Sequence, residues 1–128
     1  MYKFPVIIFE GIEASGKSTN LRLVSNFLKK NKRKFIKIRE PGGSRFSESI
    51  RKLMLSKNSI LNYKTDLLLI FAARSENMDK ILRKNLGKKI ILIDRFTDST
   101  IAYQHYGFKI NKNIINNLNK FILGNISP

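Results

Sequence analysis

Residues 4–18 read FPVIIFEGIEASGKS, and they carry the strongest indication of the fold class. Residues 4–10 are mostly β-branched and aromatic, which predicts a short buried strand that ends at Gly11. Residues 11–18 then match the pattern G-x-x-x-x-G-K-[ST] without a mismatch. Apolar residues recur at helical spacing from Lys17 to about Asn31, so a helix is predicted directly after the pattern. A strand, a glycine-rich turn and a helix in this order form the context in which the pattern binds phosphate.

Two further strands are predicted downstream, FIKIR at 35–39 and KIILID at 89–94. Helical spacing of apolar residues predicts additional helices over 46–54, 64–86, 97–106 and 113–123. Strands that alternate with helices form parallel βαβ units. We therefore predict an α/β fold, an open parallel sheet of three strands flanked by helices, in one domain over residues 1–128.

The ends of the three predicted strands are all polar: Glu10-Gly11, Arg39-Glu40 and Asp94-Arg95. In open parallel sheets, ligands bind beyond the carboxyl ends of the strands. The sequence therefore predicts a charged ligand site at this edge of the sheet.

The glycine-rich turn predicts a nucleoside triphosphate site. Glycines let successive backbone N–H groups point at phosphate oxygens, and the helix N-terminus adds its positive dipole end. Lys17 is expected to reach the β- and γ-phosphates, with the Ser18 hydroxyl and the Asp94 carboxylate as ligands of Mg²⁺. The residues predicted to hold the triphosphate are Gly11, Ile12, Glu13, Ala14, Ser15, Gly16, Lys17, Ser18 and Thr19.

Composition narrows the function classes. The 128 residues contain no cysteine and one histidine, so thiol catalysis, Cys-ligated zinc and multi-histidine metal sites are excluded. The formal net charge of +16 predicts anionic ligands. No apolar run approaches the ~18 residues that cross a bilayer, and residues 1–10 carry no signal-peptide pattern. We expect a cytoplasmic protein without membrane contact.

Five ordered segments resemble the thymidylate kinase family of P-loop nucleoside monophosphate kinases. They are FEGIEASGKST at 9–19, REPGG at 39–43, ESIRKLML at 48–55, FAAR at 71–74 and DRFTDSTIAYQ at 94–104. The resemblance implies Mg²⁺-dependent transfer of the γ-phosphate of ATP, the co-substrate, to dTMP, giving dTDP for nucleotide biosynthesis. Lys17, Arg39 and Arg95 would supply the catalytic positive charge.

The resemblance also assigns the dTMP contacts. They are Glu13 (sugar 3′-hydroxyl), Arg39 and Arg95 (acceptor phosphate), Glu40 and Pro41 (pocket bend), Arg51 (guanidinium towards the pocket), Phe71 and Arg74 (thymine), Thr100 and Gln104 (base edge) and Tyr103 (ring under the sugar).

Three local features are left open or differ from relatives. Phe71 lies three residues before Arg74, whereas many relatives space the aromatic residue four before the arginine, which would place Ile70 over the base. The Glu40–Pro41 peptide is cis in relatives, although X-Pro bonds in general favour trans. His105 replaces a glycine, and we expect it to be an exposed loop residue without a chemical role.

The resemblance covers the N-terminal part of the family. Ala14 matches the branch in which a mobile lid, and not the phosphate loop, supplies a catalytic arginine. The lid, a further strand and the adenine-contacting segment would follow Pro128, and homodimerisation is a family expectation.

Three alternatives share the glycine-rich turn: another nucleotide or nucleoside kinase, a non-catalytic remnant, and a P-loop protein that binds nucleic acid. The run KKNKRK at 29–34 is the best support for the last of these. A solvated helix end explains the run better, because no aromatic residues interleave with it. We therefore expect no stable nucleic-acid partner.

Overall fold

A three-stranded parallel sheet forms the centre of the molecule. The computed structural model describes residues 4–58 and 60–126. The strands are β1 (Val6–Phe9), β2 (Phe35–Arg39) and β3 (Ile90–Asp94), and their spatial order is β1-β3-β2. β3 pairs with both neighbours in parallel register. The predicted open parallel sheet is confirmed.

Six α-helices and two π-helical segments surround this sheet in the described part of the chain. The α-helices are α1 (Lys17–Lys30), α2 (Arg45–Leu55), α3 (Tyr63–Asn77), α4 (Arg83–Asn85), α5 (Thr97–Thr100) and α6 (Lys112–Leu123). The π-helical segments are Met78–Leu82 and Ile101–Gly107. The helices predicted over 64–86 and 97–106 are therefore helical but not α-helical throughout. Such wider turns often occur at functional sites, and the second one carries Gln104.

Alternate residues of β3 pack on opposite faces of the sheet. Ile91 and Ile93 join one core cluster with residues of the first π-helical segment and α6. Ile90 and Leu92 join another with Leu28 of α1. Burial on both faces explains why this strand is a continuous apolar run. The helices therefore cover both faces of the sheet.

The carboxyl ends of the strands meet at one edge, as predicted. Phe9 and Arg39 both lie opposite Asp94 in the register. The backbone N–H of Glu40 donates to the Asp94 carbonyl at 2.9 Å, and that of Arg95 donates to the Phe9 carbonyl at 2.9 Å. The polar residues that follow the strands are thereby held side by side.

The helices α1, α2 and α3 begin in different ways. Side-chain oxygens of Ser44 and Asn62 cap α2 and α3 by accepting bonds from first-turn N–H groups. α1 follows its N-cap residue Gly16, which has a φ of 83° and offers no side-chain cap, and the first turn of the helix contains no acid. The N-cap residue therefore offers no side-chain acceptor to the first N–H groups of α1, which suits them to an external anion. Across the described residues, every helix is too short or too polar to cross a membrane.

Candidate functional site

The turn between β1 and α1 encloses a cavity of about 220 Å³, here called the phosphate-loop cavity. Its walls contain eight of the nine predicted residues, from Ile12 to Thr19, together with Arg95. Gly11, the ninth, has a φ of 154°, and a Cβ there would lie 3.3 Å from the Ser15 Cβ. Gly11 therefore shapes the turn, and its neighbours form the wall.

Lys17 and Asp94 form an ion pair at this cavity. Lys17 is the first residue of α1, and Asp94 is the last residue of β3. The pair holds the lysine ammonium at the strand ends, where an anion entering the cavity would meet it. The structure thus brings together the lysine and the acid that the sequence singled out.

Ser18 and Asp94 suit a magnesium ion. Both offer hard oxygen ligands, and Mg²⁺ in phosphoryl-transfer sites takes one or two protein oxygens, with substrate phosphates and water completing its shell. Within the ranges 4–58 and 60–126, no group of three or more His, Cys, Asp or Glu side chains could hold a metal alone. Ser18 and Asp94 therefore offer the kind of oxygen donors that Mg²⁺ prefers.

A second cavity of about 310 Å³ lies beside the first, and we call it the α3 cavity. Its walls are formed by Glu40, Pro41, Asp66, Ile70, Arg74, Arg95, Phe96, Ser99, Thr100, Tyr103, Gln104 and Phe108. Seven of these were predicted to contact dTMP. Asp66, Phe96, Ser99 and Phe108 were not singled out by the sequence analysis.

Arg95 lines both cavities. Its backbone has a φ of 69°, an uncommon conformation for a residue with a side chain. Its Nη1 lies 3.5 Å from the Ser99 Oγ and 3.4 Å from the Tyr103 hydroxyl, and its guanidinium lies 5.6 Å from the Tyr103 ring centroid. One positive charge is therefore shared by the two cavities.

Glu10 holds the segment that carries Arg95. Its Oε1 accepts the backbone N–H of Phe96 at 2.7 Å and that of Ser99 at 3.3 Å, and its Oε2 accepts the Ser99 hydroxyl. Sequence reasoning placed Glu10 at a strand end but gave it no partner. The sequence signal for this contact was that Glu10 and the segment after β3 both follow strands whose ends meet at one edge of the sheet.

Arg74 is buried at the back of the α3 cavity, with 1% of its surface exposed. Its guanidinium donates to three acceptors, the Glu40 Oε2 at 2.8 Å, the Asn119 Oδ1 at 2.8 Å and the Thr100 Oγ1 at 2.9 Å. A buried charge needs such partners to offset its lost hydration. Arg74 therefore ties α3 to α5, α6 and the end of β2.

Two buried oxygens at this cavity have no hydrogen-bond partner within the described chain, Glu40 Oε1 and Gln104 Oε1. Burial raises the pKa of the Glu40 carboxyl, and the nearby Arg74 guanidinium offsets this rise only in part. Unpaired buried oxygens in a cavity wall suit a ligand with hydrogen-bond donors.

The expectation that Phe71 faces the site is corrected by the geometry. Phe71 is 3% exposed and packs with Leu67, Ile110 and Ile115. Ile70 lines the α3 cavity instead. Consecutive helix residues point about 100° apart, and in α3 the neighbour that reaches the cavity wall is Ile70. Phe71 supports the site from behind, because its ring centroid lies 5.2 Å from the Arg74 guanidinium.

Arg39 and Arg51 lie outside the walls of both cavities, around the turn after β2. Arg39 donates to Glu48 at 3.2 and 2.9 Å, and Arg51 donates to the Pro41 carbonyl at 2.9 Å. Glu48 also accepts the Gly43 N–H at 3.0 Å, and these contacts lower the pKa of its carboxyl to about 2. The Glu40–Pro41 peptide in this turn is cis.

His105 is not the exposed loop residue that the sequence suggested. It lies half-buried in the π-helical segment Ile101–Gly107, where its Nδ1 is 2.7 Å from the Ile110 carbonyl oxygen. This contact links the helical segment to the residues just before α6. A histidine in place of the glycine of relatives is compatible with the helical conformation here.

The basic run at 29–34 is exposed and lies at the C-terminal end of α1 and before β2. This is the amino end of the sheet, away from both cavities. The geometry therefore agrees with a solvated helix end.

Comparison with known proteins identifies the fold and its relatives. The family model "Thymidylate kinase" matches residues 9–128. A thymidylate kinase of Thermosipho africanus is 42% identical over 123 residues, which cover 95% of this chain and 61% of the relative. One of Wolbachia pipientis wMel is 40% identical over 119 residues, covering 91% of this chain and 60% of the relative.

A solved structure is similar over nearly the whole chain. The crystal structure of thymidylate kinase from Ehrlichia chaffeensis matches with a TM-score of 0.88 and 38% identity, covering 98% of this chain and 71% of that one. The present chain spans about three fifths of the length of the curated relatives that it matches. The matching family model, the relatives and the shared architecture agree, and this chain belongs to the thymidylate kinase family.

Proposed function

We propose that this protein transfers the γ-phosphate of Mg·ATP to dTMP, giving dTDP and ADP. The observation that carries the proposal is the position of Arg95, which lines both the phosphate-loop cavity and the α3 cavity. Transfer between two anionic phosphates depends on holding them in line and neutralising their charge. A guanidinium shared by two adjacent cavities meets that requirement.

On the donor side, the phosphates of ATP bind the open first turn of α1 and the backbone of residues 11–19. Lys17 leaves its pairing with Asp94 to neutralise the β- and γ-phosphates. Ser18 and Asp94 would hold Mg²⁺, which neutralises charge on the β- and γ-phosphate oxygens when bound. Family membership supports ATP as co-substrate, and the hard oxygen donors support the metal.

On the acceptor side, the base of dTMP enters the α3 cavity against Ile70 and Phe96. Thr100 and Gln104 face the base edge, and Tyr103 lies under the sugar, where it disfavours a ribose 2′-hydroxyl. Glu13 takes the 3′-hydroxyl. The acceptor phosphate lies at Arg95, and Arg39 and Arg51 approach it from the turn after β2 once Arg39 exchanges Glu48 for the phosphate.

Family resemblance further supports a lid arginine in place of one at Ala14, homodimerisation, and a cytoplasmic location. None of them is needed for dTMP to occupy the α3 cavity.

Thermal stabilisation by dTMP tests the acceptor site. Ligand at ~100 times its Kd adds about 2.7 kcal/mol to the free energy of unfolding. We expect a clear rise in Tm with dTMP and little with dAMP or the ribose analogue of dTMP. Lys17→Met is the matched variant, because it should keep the dTMP response and lose the response to Mg·ATP. A cooperative melt that dTMP leaves unchanged would refute the acceptor assignment.

A further inference from the structure

The side-chain amide of Gln104 lies in the wall of the α3 cavity and has only one of its two ends hydrogen-bonded to the described chain. Gln104 is 2% exposed and belongs to the cavity wall. Its Nε2 donates to the Asp66 Oδ2 at 3.2 Å, while its Oε1 has no partner in the described part of the chain. One end of the amide is therefore fixed, and the other is free for a ligand.

Asp66 dictates which end of the amide is fixed. An ionised carboxylate accepts hydrogen bonds and donates none, whereas a glutamine amide has one donor end and one acceptor end. The end that faces Asp66 must therefore be the NH₂ group. It follows that the carbonyl oxygen, an acceptor, is what Gln104 presents to the cavity.

We infer that Asp66 is a specificity-determining residue, which acts through Gln104 to make the α3 cavity accept a pyrimidine with an N3–H and reject one without it. This inference rests on the proposed function, since it concerns the base of the acceptor nucleotide. Asp66 is a positioning residue, and Gln104 makes the contact.

The chemistry of the bases gives the inference its direction. Thymine and uracil carry a hydrogen on N3, which the Gln104 oxygen accepts. Cytosine carries a lone pair on N3, which that oxygen repels. Turning the amide over would reverse both interactions, and a misplaced buried hydrogen bond changes affinity by about tenfold or more.

The placement of Asp66 supports this role over a purely structural one. Asp66 lies in the first turn of α3, where any acid stabilises the helix dipole. It also lies four residues before Ile70 and eight before Arg74, on the helix face that lines the cavity. A helix-stabilising acid alone would not need to face Gln104.

The experiment measures Kd values of dTMP, dUMP and dCMP for the wild-type chain and for Asp66→Asn. An asparagine can present either its donor or its acceptor, so the Gln104 amide is no longer held one way. We expect the preference for dTMP over dCMP to fall about tenfold or more. The preference for dTMP over dUMP should stay unchanged, because both bases carry the N3–H.

Three further variants separate positioning from general damage. Asp66→Glu keeps a carboxylate and should retain the preference over dCMP. Asp79→Asn removes an exposed acid of the same chain and should leave it unchanged. In a Gln104→Ala background, Asp66→Asn should cause no further loss, because the residue through which Asp66 acts is gone.

Full discrimination in Asp66→Asn, or an equal loss with and without Gln104, would overturn the inference while leaving dTMP binding intact. Failure of the wild-type chain to bind dTMP would overturn the proposed function and this inference with it.

Discussion

The ion pair of Glu48 with Arg39 predicts a pH-dependent contribution to stability. Glu48 accepts two bonds from Arg39 and one from the Gly43 N–H, and its pKa falls from 4.5 to about 2. Without solvent screening, a pKa shift of this size would contribute about 3 kcal/mol to the free energy of unfolding. The side chains are 31% and 54% exposed, so water screens the pair and we expect about 1 kcal/mol.

The sign follows from linkage between protonation and folding. The carboxyl binds a proton more weakly in the folded state, so its contribution is complete above the unfolded pKa of 4.5 and is lost as the pH falls towards 2. Urea denaturation of the wild type and Glu48→Gln should therefore differ by about 1 kcal/mol at neutral pH. That difference should shrink progressively between those two values.

Because all other carboxylates are the same in the wild type and in Glu48→Gln, their titration cancels in the difference between the two proteins. Asp79→Asn breaks the exposed pair with Arg83 and serves as control, with a loss of no more than about 0.5 kcal/mol at neutral pH. A difference between wild type and Glu48→Gln that stays constant across the acidic range would show that protonation of Glu48 does not break this ion pair.

Four other substitutions, of which Gly87→Ala is a control, test the scaffold of the site by urea denaturation. Glu10→Gln replaces an acceptor that holds Phe96 and Ser99, and we expect a loss of about 1–2 kcal/mol; an unchanged midpoint would contradict this role. Gly43→Ala should lower the free energy of unfolding by about 2 kcal/mol or more, because the added Cβ would lie 2.6 Å from the Asn77 Oδ1. As a control, Gly87→Ala adds its Cβ in open space and should lower it by about 1 kcal/mol. Equal losses for the two would count against the close packing. Asn119→Leu leaves an Arg74 donor unpaired and should cost about 1–3 kcal/mol, and a neutral effect would show that the contact is dispensable.

The parts of the fold that were predictable are those encoded locally. Each strand is a short apolar run closed by polar residues, and the glycine-rich turn matches its pattern at every position. These signals lie within a few residues of one another, so the order of strands and helices and the phosphate-loop cavity could be derived without tertiary contacts.

The rotation of α3 could not be derived in this way. Residues 67–73 read LLLIFAA and are apolar on every side, so the pattern does not choose between Ile70 and Phe71 as the residue in the wall. Packing of Phe71 against Ile110 and Ile115 decides the matter. That packing depends on α6, more than forty residues away along the chain.

Long-range polar contacts were also out of reach of the sequence. Glu10 and Ser99 are 89 residues apart, and Asp66 and Gln104 are 38 apart. Each acid reads locally as an ordinary strand end or helix start. Only the folded chain brings them to the partners that give them a role, and the same holds for Asn119 beside Arg74.

Arg95 lies where the two cavities meet, and we propose that it brings a donor and an acceptor phosphate together. The affinity of a bisubstrate ligand, thymidine and adenosine joined through their 5′ positions by an oligophosphate chain, tests this arrangement. Occupation of both cavities predicts a Kd about 100-fold or more below that of dTMP, and Arg95→Ala should remove most of this gain. A linked ligand that binds no more tightly than dTMP or ATP alone would show that the two cavities do not hold the two nucleotides side by side.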